Sequence, residues 1–300
     1  MQVAVEDTAE GTRVGPRALV SRLNDPGDPQ YSICTMVTDW PEYRGMVRSL
    51  IARGFDEGSC EFLVLDNSAG NQADAYVGTN EFLQASRAPR IIVCHQDILL
   101  LEDGRSRLDE CLDELSRLAP DWAIAGNAGM TGEGWPVTCL SDPHARINVL
   151  GGAFPARVVS LDENFLVIRR EANLALSRDL SGFHHYATDL CVIAAMLGWS
   201  AYVIDFFLRH ESGGTVDARY HASAERLEAK YAAALRDRWV PTIIGRPVWL
   251  SGRAGGRAIA QMRRWLGKLT GGVPRNRRAW SADRVAAQPR HLRALDEHLP

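Results

Sequence analysis

From Tyr31 onward, short apolar runs alternate with amphipathic stretches. Tyr31 to Thr38 (YSICTMVT) is a β-branched and apolar run suited to a buried strand. Pro41 follows where a helix has no use for the missing N–H, and Tyr43, Met46, Val47, Leu50 and Ile51 recur at helical spacing. Glu61 to Leu65 predicts a second strand, ended by the turn-forming run Asp66-Asn67-Ser68-Ala69-Gly70. A helix over about 72–86 precedes a third strand, Arg90 to Cys94. Leu108, Cys111, Leu112, Leu115 and Leu118 mark the next helix, and Trp122 to Ala125 a fourth strand.

Strand–helix alternation with short, continuously apolar strands predicts an α/β fold whose largely parallel central sheet is covered on both faces. In such sheets ligands bind outside the carboxyl ends of the strands. The predicted ends are Thr38-Asp39, Asp66-Asn67 and His95-Gln96-Asp97, all with carboxylates and one with a histidine. Beyond about residue 130 the alternation degrades. Gly126 to Pro155 reads as a loop-rich insertion with short strands, and Leu161 to Arg170 as one strand. Thr188 is placed to cap an apolar helix, Leu190 to Leu197, that Gly198 ends. Ala201 to Arg209 predicts a final strand leading to His210, and Ser223 to Arg238 an amphipathic helix.

Composition changes this picture in three places. With 46% hydrophobic and 24% charged residues the 300-residue chain is an ordinary globular one, and no run approaches the about 20 apolar residues of a membrane span. The acidic start, Met1 to Glu10, lacks the apolar core of a secretory signal. The six cysteines are scattered with no CxxC pair, which predicts buried free thiols and a reducing, cytoplasmic setting. The net charge of −3 conceals an asymmetry. Residues 241–300 hold 12 Lys and Arg against 3 Asp and Glu, a balance of +9; residues 1–240 hold 22 against 34, a balance of −12. The expected organisation is an extension or edge segment over 1–30, a main domain over 31–240 and a basic helical tail over 241–300. In that tail Ile259, Met262, Leu266 and Leu269 lie at three- and four-residue steps, with Arg257, Arg264 and Lys268 on another face. Two readings follow: a helix docked on the acidic body, or one lying peripherally on the inner face of an anionic membrane. The tail has no aromatic platform beside it, so nucleic-acid binding is not expected.

Four segments in this order resemble the GT-A glycosyltransferases, with a Rossmann-like nucleotide-diphospho-sugar transferase fold, close to the family-2 type and its bacterial relatives. They are SICTMVTDWPEYRGMVRSL, EFLVLDNSAGN, IIVCHQDILL and GFHHYATDLCVIAAMLGWSAYVIDFFLRHESGG, and the resemblance covers about residues 31–215. It implies a nucleotide-sugar site formed by Thr38, Asp39, Asp66, Asn67 and Asp97. Asp97 takes the second acidic position of the family's DxD motif, and His95 stands where the first aspartate is usual. His210 resembles the histidine that completes the metal site, which gives His95, Asp97 and His210 as ligands for Mn²⁺ or Mg²⁺. Asp189 matches the carboxylate that deprotonates the acceptor, and Gly213-Gly214 suits a mobile loop.

The implied activity is metal-dependent, inverting transfer of a hexosyl unit from a nucleotide sugar, UDP-linked by family frequency, to a hydroxyl acceptor. A cell-envelope or lipid-linked glycan is the expected acceptor. The alternative is an inactive relative that binds nucleotide sugar or glycan without turnover. A nucleotidyltransferase would want a Gly-rich phosphate loop, which TMVTDWPEYR lacks.

Overall fold

The computed structural model describes residues 19–144, 147–150, 152–213, 216–240 and 248–253, with 255, 258, 261, 262 and 265 singly. The chain divides into two compact units, one up to Lys230 and one from Tyr231.

In the first unit the elements follow in the order β1 (Val20–Arg22), β2 (Tyr31–Val37), α1 (Trp40–Ala52), β3 (Cys60–Asp66), α2 (Ala75–Ala85), β4 (Arg90–Cys94), β5 (Ile98–Leu99), α3 (Arg105–Leu118) and β6 (Trp122–Gly126). Then come β7 (Ala128–Met130), β8 (Pro136–Ser141), β9 (Ile147–Leu150), β10 (Ala156–Val158), β11 (Ser160–Leu161), β12 (Phe165–Arg169), α4 (Tyr186–Met196), β13 (Ser200–Val203), β14 (Leu208–His210) and α5 (Ala218–Ala234), whose last turn crosses into the second unit. In that second unit β15 (Arg238–Val240) and β16 (Val248–Leu250) pair antiparallel. The tail helix expected over 253–269 falls mainly outside the described residues, as does residue 214 of the expected mobile loop.

The central sheet has the strand order β1-β3-β2-β4-β12-β6-β13-β10. Strands β3, β2, β4, β6 and β13 run one way; β12, in the middle, and the edges β1 and β10 run the other. Alternate side chains feed two cores, as the two-residue period of a strand requires. On one face Ile33, Val64, Ile92 and Val167 pack with Met46 and Leu50 of α1 and Leu108 and Leu112 of α3. On the other face Cys34, Leu65, Val93 and Leu166 pack with Tyr76 and Phe82 of α2 and Leu190 and Ala194 of α4. The expected α/β sandwich, helices on both faces, is what the chain adopts. All six cysteines are free and buried.

Residues 20–22 form an edge strand rather than a loose extension, with Val20 opposite Leu65. The Asn24 side chain locks it by donating to Cys60 O (2.7 Å) and accepting from Phe62 N (2.8 Å). Beneath it Glu61, fully buried, meets Ser32, Arg22 and Arg87.

Two predicted strands are each divided between sheets. The run expected from Leu161 to Arg170 leaves the second sheet after β11, turns through Asp162-Glu163-Asn164 and enters the central sheet as β12. The run expected from Ala201 to Arg209 breaks at Ile204 to Phe207, so β13 ends in the central sheet and β14 starts in the second. That second sheet has the order β11-β7-β8-β14-β5, with β9 on β8. Among the described residues no helix is long and apolar enough to cross a membrane.

Candidate metal and nucleotide site

The site grows out of one edge. Because β2, β3 and β4 are parallel, Thr38, Asp66 and His95 emerge together at their carboxyl ends. Just past His95 the chain forms β5, which pairs antiparallel with β14 so that His210 faces Ile98. The Glu211 N–H donates to Asp97 O (2.9 Å), extending this short ladder. The pairing carries His210 to Asp97 across more than a hundred residues of sequence.

His95, Asp97 and His210 each offer one ligand atom, and these atoms lie within 4.8 Å of one another. His210 Nε2 is 3.5 Å from Asp97 Oδ1, and His95 Nδ1 is 3.8 Å from the same oxygen. The two imidazole rings are tilted at 54° with centroids 5.5 Å apart. Burial pushes the Asp97 carboxyl up, but hydrogen bonding and charge from His210, with His95 and Ser212, outweigh it and hold it at about 2. Burial, with the charge of His210, lowers His95 and outweighs the opposing charge of Asp97. Burial also pulls His210 down, yet the bond to Asp97 and its charge raise it on balance. Two imidazoles and an anionic carboxylate form a mixed N/O donor set that suits Mn²⁺ and related divalent ions.

The cluster opens into a cavity of about 680 Å³ lined by Thr38, His95, Glu163, Phe183, His210 and Arg226 among others. A cavity of about 730 Å³ opens at the opposite edge of the sheet. Its arginines are engaged: Arg87 with Asp25 and Glu61, Arg90 with Asp109 and Asp113, Arg169 with Glu171, and Arg170 with the Ser86 carbonyl. The His/Asp/His cluster belongs to the first cavity alone.

The other residues singled out from sequence have distinct fates. Thr38 lines the cavity, and its N–H and that of Asp39 donate to Gln96 Oε1 (2.8 and 3.1 Å). Gln96 also donates to Thr38 Oγ1 and Glu42, so it pins the first loop; sequence reasoning passed over it between two stronger candidates. Asp39 caps α1 by accepting from Glu42 N (2.9 Å). Asp66 stays at the surface, its carboxyl held below the ordinary carboxylate range by the Ser68 hydroxyl and N–H and by Trp40. Asn67 is turned inward: its amide donates to Ala73 O (3.0 Å) and accepts from Gln72 N (2.8 Å), which folds the loop ahead of α2. That side chain is occupied by the loop rather than presented to a ligand.

Asp189 is also withdrawn. It is fully buried in the first turn of α4, with its carboxylate accepting from the Ser177 N–H and hydroxyl, both at 2.8 Å. It anchors the 173–185 segment and is not among the residues lining the cavity. Thr188 is not the cap expected of it either. The helix begins earlier, at Tyr186, with His185 as N-cap in the left-handed conformation (φ 63°) and no local side-chain cap. The N–H groups of His185 and Ala187 act instead on Glu163, from the turn before β12, lowering its carboxyl against the push of burial. An interaction with another element leaves no local sequence signal. Glu163 was missed for a second reason: reading Leu161 to Arg170 as one strand hid the turn that brings it to this edge.

No family model matches the chain. Among solved structures, the chain is similar in part to two glycosyltransferases. One is GalNAc-T7 with UDP, GalNAc and Mn²⁺, at TM-score 0.45 and 10% identity over 63% of this chain; the chain spans less than half of that protein (45%). The other is the mannosyltransferase PcManGT from Pyrobaculum calidifontis with GDP-Man and Mn²⁺, at TM-score 0.46 and 14% identity over 74% of this chain and 69% of that one. In sequence, the chain is 32% identical over 222 residues to the protein "ATP synthase subunits region ORF 6" of Fuscovulum blasticum, covering 72% of this chain and 87% of that protein. With that identity over nearly the whole of the relative, the chain belongs to the same family as the Fuscovulum blasticum ORF 6 protein.

Proposed function

We propose that the chain is a metal-dependent, inverting glycosyltransferase of the GT-A type, moving a sugar from a nucleotide-sugar donor to a hydroxyl acceptor. The observation that carries this reading is the His95, Asp97 and His210 cluster at the carboxyl edge of the sheet, opening into a cavity large enough for a sugar nucleotide. His95, Asp97 and His210 would hold a divalent ion, whose chemistry there is to offset the charge that develops on a departing diphosphate. Asp66, at the end of the neighbouring parallel strand, would meet the base or ribose, with Thr38 and Asp39 at the end of β2 beside it. Gripping the nucleotide away from the reacting carbon lets binding energy fix the geometry of attack. UDP is the proposed nucleotide, and a cell-envelope or lipid-linked glycan the proposed acceptor.

Thermal unfolding with UDP, GDP and Mn²⁺, singly and paired, tests the donor site. A nucleoside diphosphate and Mn²⁺ together should raise the melting temperature more than either alone, and His210→Ala should lose that joint increment. If neither diphosphate shifts the melting temperature with or without Mn²⁺, the reading falls.

A further inference from the structure

We infer that Glu163 is the general base that takes the proton of the acceptor hydroxyl, an assignment that rests on the glycosyl-transfer reading. The placement comes from topology. β12 runs against its neighbours, so its start lies at the edge where β4 ends: Phe165 faces Cys94, and the His95 N–H donates to Asn164 O (3.0 Å). The Tyr186 hydroxyl donates to Glu163 O (3.2 Å) and stands 3.5 Å from His95 Nε2. The Glu163 backbone is thereby tied to the cluster indirectly, through Asn164 and the Tyr186 hydroxyl, and the residue lines the same cavity as His95 and His210. The N–H groups of His185 and Ala187 act on its carboxyl, opposing the upward push of burial.

The remaining carboxylates of this edge have other engagements. Asp97 sits inside the His cluster, Asp39 caps α1, Asp66 is held by Ser68 and Asp189 by Ser177. Asp162 accepts from the N–H and side-chain amide of Asn164. The groups facing Glu163 are Asp162 on its own turn, Tyr76 from α2, and Tyr186 and Cys191 from α4. His184 and two arginines of α5 share its cavity. Of those arginines, Arg219 is paired with Asp217 and Arg226 donates to Ser181 O. Burial foremost, then the charge of Asp162, pushes the Glu163 carboxyl up to about 8. A carboxylate raised toward neutrality is a far stronger base than one at its ordinary value.

In the step assigned to it, the acceptor O–H proton passes to a Glu163 carboxylate oxygen while the acceptor oxygen bonds to C1 of the donor sugar. The bond from C1 to the diphosphate oxygen breaks, and its electron pair leaves with the nucleoside diphosphate.

The test uses Glu163→Gln and Glu163→Asp in the full chain. First, both variants should keep the joint UDP–Mn²⁺ thermal shift. If the wild-type chain shows no shift, the donor reading fails; if only E163Q loses it, Glu163 serves donor binding and the inference is overturned. Second, UDP release from a panel of UDP-hexoses, water or added glycan accepting, should fall at least about 100-fold in E163Q, the usual lower bound for a general base. A loss under about fivefold overturns the inference. Third, the metal-free chain is melted from pH 5 to 9. A carboxyl with folded pKa about 8 against an ordinary 4.5 holds its proton in the folded state up to about pH 8, so wild-type stability falls as pH rises to that point. E163Q lacks this loss and should gain on wild type steadily up to pH 8, whereas E163D should follow wild type. A gap that stays flat shows an ordinary ionised carboxylate and overturns the assignment, even if no UDP-hexose of the panel is turned over.

Discussion

Asp189→Ala separates two roles that one sequence position suggests. As a catalytic base its loss would remove turnover and spare the fold; as the anchor seen here its loss should do the reverse. The Ser177 N–H and hydroxyl each lose a carboxyl acceptor at 2.8 Å, in a place where Ser177 and Asp189 are both buried. An unsatisfied buried polar group costs about 1–3 kcal/mol, so the pair should cost roughly 4 kcal/mol. For a folded unit of this size about 2–4 °C is lost per kcal/mol, which gives a fall in melting temperature of about 8–16 °C. Ser177→Ala, which keeps the N–H bond but takes one donor from the buried carboxyl, should cost about 1–3 kcal/mol. The assay is thermal and urea unfolding of both variants, with the UDP–Mn²⁺ shift measured at a temperature where each is folded. The reasoning is refuted if Asp189→Ala melts within about 2 °C of the parent while its UDP-hexose turnover disappears.

Glu61→Gln should destabilise by about 3–5 kcal/mol in urea unfolding, since it strips a fully buried carboxylate from Arg22 and Arg87. Gly129→Ala places a Cβ 2.5 Å from the Ser160 carbonyl and should cost about 1–3 kcal/mol, whereas Gly132→Ala, whose Cβ lies 3.6 Å from Val159, should melt with the parent. Asn80→Ala removes the bonds to Leu176 N and O (2.8 and 3.1 Å) and should cost about 2–3 kcal/mol, read by the same unfolding assay.

The parts of this molecule visible in its sequence are those whose signals are local. Tyr31–Val37, Cys60–Asp66 and Arg90–Cys94 are continuous apolar runs, and such runs in a doubly covered sheet announce themselves. Asp97 and His210 could be singled out because each follows an apolar strand. Their meeting depends on the pairing of two short strands, β5 and β14, too brief to carry a periodicity. Strand direction is invisible in a run apolar on both sides, so nothing in FLVIR shows that β12 runs backwards. The fates of Asn67 and Asp189 were hidden for a related reason. Asp-Asn turns and first-turn aspartates have the same local pattern whether they face a ligand or hold a neighbouring loop, and only Ala73 and Ser177 decide between the two.

The three-residue turn between β11 and β12 is fastened at both ends to different sheets: the Asp162 N–H to Ala128 O (2.9 Å) and the Asn164 carbonyl to the His95 N–H. Residue 163 is therefore suspended between two bodies like the deck of a footbridge. A shift of the β7–β8 hairpin relative to the central sheet would carry with it both this turn and β14, which pairs with β8 and bears His210. Sequence change in that hairpin is thus a route by which the Glu163 turn and the His210 strand can be repositioned together.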